Sequence, residues 1–169
     1  LTGLVGDTKY YLRLRAYNGD GLLSEPSQEL VAFTGPKPPV NFSGQATSTG
    51  SIKWVWENQS SNVSGIRLVD ENKNPISPDL ASSCQVYEES NLEPNTRYVR
   101  YLYVWGANGY AYSEKAIAYT LAPPPSDLKV ESVKDHEISL SWSGIGAGYS
   151  VYRSTAVSYT HLRAHETRH

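Results

Sequence analysis

Two sets of residues recur along this chain at nearly one spacing, and that recurrence limits what it can fold into. Thr34, Pro38, Pro39 and Trp56 return as Thr120, Pro124, Pro125 and Trp142, each 86 residues later. Leu4, Thr8 and Tyr10 return as Leu92, Thr96 and Tyr98, each 88 residues later. Solenoid and propeller units repeat every 20 to 50 residues or so, too short for this period, which suits a small β-domain instead. The segments Gly35-Pro-Lys-Pro-Pro39 and Ala122-Pro-Pro-Pro125 are natural boundaries. Their prolines favour extended backbone and act as semi-rigid spacers.

Between the boundaries the apolar pattern has period 2. Ile52, Trp54 and Trp56 alternate with Lys53, Val55 and Glu57. Ile138, Leu140 and Trp142 alternate with Glu137, Ser139 and Ser141, and Leu12, Leu14 and Ala16 alternate with Tyr11, Arg13 and Arg15. Such alternation marks strands with one buried and one wet face. Asn18-Gly-Asp-Gly21, Asn72-Lys-Asn-Pro75 and Asn108-Gly109 supply turns between them. No helical periodicity is long enough for a packed helix. The expected fold class is all-β, an antiparallel β-sandwich.

Composition removes several functional classes. The net charge of -2 gives no basic nucleic-acid footprint. No apolar run approaches the roughly 18 residues that span a bilayer. A single cysteine excludes an internal disulfide framework. At 39% apolar residues the chain can build a core.

Leu4-Val-Gly-Asp-Thr8-Lys-Tyr10 and Leu92-Glu-Pro-Asn-Thr96-Arg-Tyr98 resemble the L-x-P-x-T-x-Y tyrosine corner of fibronectin type III domains, with Gly6 replacing the usual proline in the first copy. Trp56 and Trp142 match the core tryptophan of strand B in that family, and the proline-rich leaders match its entry into strand A. The resemblance implies an immunoglobulin-like sandwich in tandem, and it assigns structural roles to Tyr10, Trp56, Leu92, Tyr98 and Trp142. It also implies module limits. Residues 1–36 would supply strands F and G of a first module, residues 37–122 one complete module, and residues 123–155 strands A to C of a third. The two partial modules are expected to be poorly stable alone, since a two-stranded hairpin is marginal in water.

Residues 156–169 are read as a non-native tail. Val157 to Thr167 resemble an in-frame translation of a sequencing adapter. The tail holds His161 and His165 at i, i+4, a metal-ligand spacing, but Leu162 stands where a metalloprotease needs its general-base glutamate. The chain contains no methionine, so Leu1 is expected not to be a natural N-terminus.

The candidate ligand-facing residues are aromatic. If Tyr98 points inward, Arg100, Leu102 and Val104 share its face, and Val99, Tyr101, Tyr103 and Trp105 point outward, with Tyr110 and Tyr112 on the next strand. Such a row can stack on sugars or anchor a protein partner. Cross-strand aromatic pairing that stabilises the sheet is the simpler expectation. Arg100 is expected to lie near the sheet end and snorkel to water. The pairs Glu88-Glu89 and Asp70-Glu71 are expected at solvated edges. Cys84, in the strand-E region, is expected to be a free thiol. Gly144-Ile-Gly-Ala-Gly148 lacks the third glycine of a phosphate loop and reads as the B–C loop. Three sequons occur, at Asn41, Asn58 and Asn62.

No nucleophile–base pair, metal set or cofactor motif is present, so no enzyme activity, cofactor or metal is expected. The function implied is a non-catalytic spacer or protein-interaction module from a secreted or cell-surface protein, its nearest partners being neighbouring modules. A carbohydrate-binding or spacer region accessory to a polysaccharide-degrading enzyme is the alternative. Coplanar exposed rings would favour glycan binding, and packed rings a spacer.

Overall fold

A computed structural model describes residues 1–155 and the backbone of residues 163–168. Every regular element among the described residues is a β-strand, and every pairing is antiparallel. The side chains of His161 and His165, and with them the metal spacing, lie outside the described residues.

Two facing sheets form between residues 40 and 119. One has the order β3 (Val40–Ser48), β4 (Ser51–Glu57), β6 (Val86–Glu89). The other joins β5 (Gly65–Val69), β7 (Arg97–Gly106) and β8 (Gly109–Tyr112), with β9 (Ala116–Tyr119) pairing the first half of β7. Period-2 alternation places Ile52, Trp54 and Trp56 of β4 inward against Leu68, Leu102, Val104, Ala116 and Ala118. Gly44 permits this packing, because a Cβ there would collide with the Trp54 ring.

Three two-stranded ribbons complete the described chain: β1 (Lys9–Leu12) with β2 (Leu30–Phe33), β10 (Ser126–Lys134) with β11 (Glu137–Ser143), and β12 (Tyr149–Arg153) with β13 (Arg163–Arg168). The segment set aside as a tail thus pairs its backbone with β12.

The 86-residue period is built into backbone geometry. Asn41 and Asp127 both take a left-handed φ of 54°, a region that Asn and Asp tolerate better than most residues. Both sit where the register jumps, between Val40 and Ser43 in one hairpin and between Ser126 and Lys129 in the other.

Burial corrects three expectations. Arg100 does not snorkel: it is 8% exposed and paired between the sheets with Glu89. Glu89 is accordingly not a solvated edge residue but 5% exposed. Val99 is outward by parity yet buried, standing opposite Ile117 and two residues from Tyr101 on the same face. The alternation read from Leu12 to Ala16 also outruns its strand, since β1 ends at Leu12. There Ser27 and Ser24 hydroxyls, rather than backbone carbonyls, accept the Leu14 and Ala16 N–H groups.

Candidate functional site

The outward face of β5, β7 and β8 gathers the aromatic residues. Antiparallel register sets Tyr103 opposite Tyr112 and Trp105 opposite Tyr110, with Arg67 opposite Tyr103 on the other side. Directly opposed side chains on one face interact. Tyr103 stacks on Trp105 with centroids 5.4 Å apart and planes 23° apart. It also tilts against Tyr112 at 5.1 Å and Tyr110 at 5.5 Å. Tyr110 and Tyr112 meet edge to face. Trp105 lies across Gly65, where a Cβ would not fit.

Cations close the face at both ends. The Arg67 guanidinium lies 5.4 Å from the Trp105 ring centre and is bound by Asp79. The Lys73 ammonium sits over Tyr101 and 4.8 Å from the Tyr112 ring centre. Burial lowers the Lys73 pKa, and the Asp70 carboxylate partly opposes that shift. Lys73 is held by a tight turn, with φ 66° and hydrogen bonds from Lys73 and Asn74 backbone N–H groups to Asp70. The Asn74 bond is the main cause holding the Asp70 carboxyl below its ordinary value.

Tyr101, Tyr103 and Trp105 are each half-buried, whereas Tyr110 is 63% exposed. The rings lean on one another at mixed angles and do not present one flat plane. The face is therefore a packed aromatic layer, with Tyr110 as its most accessible ring.

The structural residues occupy a second recurring arrangement. Tyr10 and Tyr98 hydroxyls accept the N–H groups of Val5 and Glu93, each at 2.8 Å. Thr34 Oγ1 accepts the Thr8 N–H and donates to the Val5 carbonyl. Thr120 Oγ1 does the same with the Thr96 N–H and the Glu93 carbonyl. The recurrence of Thr34 and Thr120 signalled this position in the sequence, but not its part in the corner. Ser27 and Ser113 complete the correspondence, accepting the N–H groups of Leu14 and Leu102. The first copy is two residues longer between that leucine and that serine, which is why one set of anchors recurs at 86 and the other at 88.

Trp56 is buried, and its indole N–H is accepted by Asn58 Oδ1. Leu92 packs against the core, while Trp142 is half-buried and packs edge to face on Tyr149. Cys84 lies just before β6 as a free, half-buried thiol. Sequence reasoning missed the buried cluster of Glu89, Arg100 and Trp54. Arg100 Nε donates to Glu89 at 3.0 Å, Trp54 Nε1 donates to Glu89 Oε2 at 2.9 Å, and Arg100 Nη1 donates to the Val99 carbonyl. Its members come from three strands of two sheets, so no local spacing announces it.

No family model matches the chain. It is 24% identical over 155 residues to receptor-type tyrosine-protein phosphatase eta of Gallus gallus, a match covering 90% of this chain and 11% of that protein. It is 45% identical over 64 residues to contactin-5 of Rattus norvegicus, covering 38% of this chain and 5% of that protein. The matched regions are thus about a tenth or less of these relatives' length. Among solved structures, the chicken CNTN1 FN1–FN3 domains align at a TM-score of 0.45 and 22% identity, over 70% of this chain and 45% of that one. An fn3 domain of human contactin 1 aligns at 0.46 and 22%, over 57% and 88%. With its two tyrosine corners and its antiparallel sheets facing across a tryptophan core, the chain has an all-β sandwich fold that resembles fibronectin type III domains.

Proposed function

We propose that the chain is a non-catalytic spacer and protein-interaction segment of a secreted or cell-surface multi-domain protein. In this reading residues 37–122 are one whole module, and residues 1–36 and 123–155 are parts of two others. The observation carrying it is the double occurrence, in head-to-tail order, of one corner network and one bulged hairpin. Chains that repeat a module in series extend and space their other parts, and they expose loops and sheet faces to partners. The likeness to a receptor-type phosphatase and a contactin favours a place outside the cell.

The packed, tilted rings of the aromatic face argue against a sugar platform, because stacking needs an accessible ring plane. Trp105→Ala tests this. The expected result is a lowered unfolding temperature, with neither protein retained on insoluble polysaccharides. Retention of the unaltered chain, lost in Trp105→Ala at unchanged stability, would overturn the reading in favour of carbohydrate binding.

A further inference from the structure

We infer that the tyrosine corner of each module is also a docking surface for the next module, and that the residue before its threonine makes the contact. The inference rests on the tandem-module reading. In the first corner that residue is Asp7, at φ 57°; in the second it is Asn95, at φ 48°. The left-handed backbone turns each side chain out of the corner, whose own hydrogen bonds use main chain, threonine and tyrosine. Both side chains then meet the loop that follows the next copy of the tryptophan strand. Asp7 Oδ1 accepts from Asn62 Nδ2 at 2.8 Å, and Asn95 Nδ2 donates to the Ile145 carbonyl. Asp accepts and Asn donates, yet the contact joins equivalent places.

The first junction is backed by the linker. The Lys37 N–H donates to Ser60 Oγ at 2.6 Å, in the same loop as Asn62. Gly35 runs against the tip of the β7–β8 hairpin, where a Cβ would lie 3.2 Å from the Tyr110 nitrogen and 3.3 Å from the Gly109 carbonyl carbon. The Asn62 carbonyl is in turn seated against Gly106, with no room for a Cβ between them. The receiving loop is therefore fixed on its own sandwich before the corner reaches it. One exposed hydrogen bond stabilises little. Three contacts that share a short linker act as one constraint, because each is made at high effective concentration once the others hold. The surface thus sets the angle between successive modules.

Residual dipolar couplings measured on the whole chain test this. The expected result is one shared alignment for residues 1–36 and 37–122. Asp7→Gly keeps the left-handed φ and removes the acceptor, so it should separate the two alignments. Asn62→Ala should do the same from the other side, and Asp7→Asn, which still presents an oxygen, should not. Independent alignments in the unaltered chain, or a shared alignment that survives both Asp7→Gly and Asn62→Ala, would overturn the inference. Protection of the Val5 amide from exchange separates the two levels. A protected amide with independent alignments leaves the module reading standing and removes the docking surface; an unprotected amide removes both.

Discussion

Replacing Glu89 by Gln should be the most damaging single-atom change in this protein. Glu89 and Arg100 are 5% and 8% exposed and face each other from opposite sheets. The carboxylate takes three donors: two guanidinium nitrogens and the Trp54 indole. Glutamine keeps the shape and one acceptor oxygen, which can still serve the indole, but it strands the Arg100 charge in the core. Removing one partner of a buried pair costs about 3–5 kcal/mol. A sandwich of this size has a total stability of about 4–13 kcal/mol, at 0.05–0.15 per residue. The variant therefore loses between about a quarter and all of its stability.

Urea unfolding read by tryptophan fluorescence measures this, in a Trp142→Phe background so that the signal comes from the middle sandwich. With a slope near 1 kcal/mol/M, the midpoint should fall by about 3 M or more. Arg100→Met alone should be similarly damaging, because it strands the carboxylate. The double variant Glu89→Gln/Arg100→Met leaves no buried charge, and its glutamine still accepts from Trp54. It should be more stable than either single variant. A loss below about 1 kcal/mol in Glu89→Gln, as for an exposed pair, would refute the reasoning. So would a double variant whose loss equals the sum of the two singles.

Thr120→Val should cost more than Tyr98→Phe in equilibrium unfolding. The buried threonine serves both the Thr96 N–H and the Glu93 carbonyl, at about 1–3 kcal/mol for each group left unpaired, whereas the exposed tyrosine bond contributes about 1. Lys73 should titrate below 10.5 by NMR, and Asp70→Asn, which keeps the turn's acceptor oxygen but removes the opposing charge, should lower it further. Because the folded state holds the Lys73 proton less tightly than the unfolded chain, this group's contribution to stability should rise with pH from the depressed folded value up to about 10.5. Limited proteolysis should cut the segment after Ala122 before the middle sandwich, since every residue of β10 is exposed; survival of that segment at equal protease would count against it.

What could be read from the sequence was local. Tyr10 and Tyr98 each bond five residues back, so the corner is written in one short motif and is legible wherever the motif stands. The alternation in β4 and β11 is legible for the same reason. Arg100 was misjudged because parity reports which face a side chain takes, not what the opposite sheet places there. Glu89 lies 11 residues away in sequence, on a strand that pairs with β4 and not with β7. The aromatic face was legible as a row along β7. That its rings lean on one another depends on Tyr110 and Tyr112 crossing over from β8, and the Lys73 cap depends on a turn near the end of β5.

The two copies of the bulged hairpin separate what the local sequence sets from what the fold adds. Val40 pairs with Glu57 and Ser43 with Val55; 86 residues on, Ser126 pairs with Ser143 and Lys129 with Ser141. The first bulge and its left-handed residue are therefore the same in both, while the second irregularity falls between Ala46 and Ser48 in one and between Val130 and Ser132 in the other. Burial differs too. Ile52 is 0% exposed and its counterpart Ile138 is 63% exposed; Trp56 is buried and Trp142 only half so. The first hairpin faces β5, β7 and β9, while β10 and β11 expose most of the corresponding face. Fully burying one large apolar side chain stabilises by about 1.5–3 kcal/mol. Ile52 gains this from the facing sheet and Ile138 does not, while Leu140 and Trp142 are already half-buried. The recurring bulge marks the pairing in both copies, and the opposite sheet completes the burial in one of them.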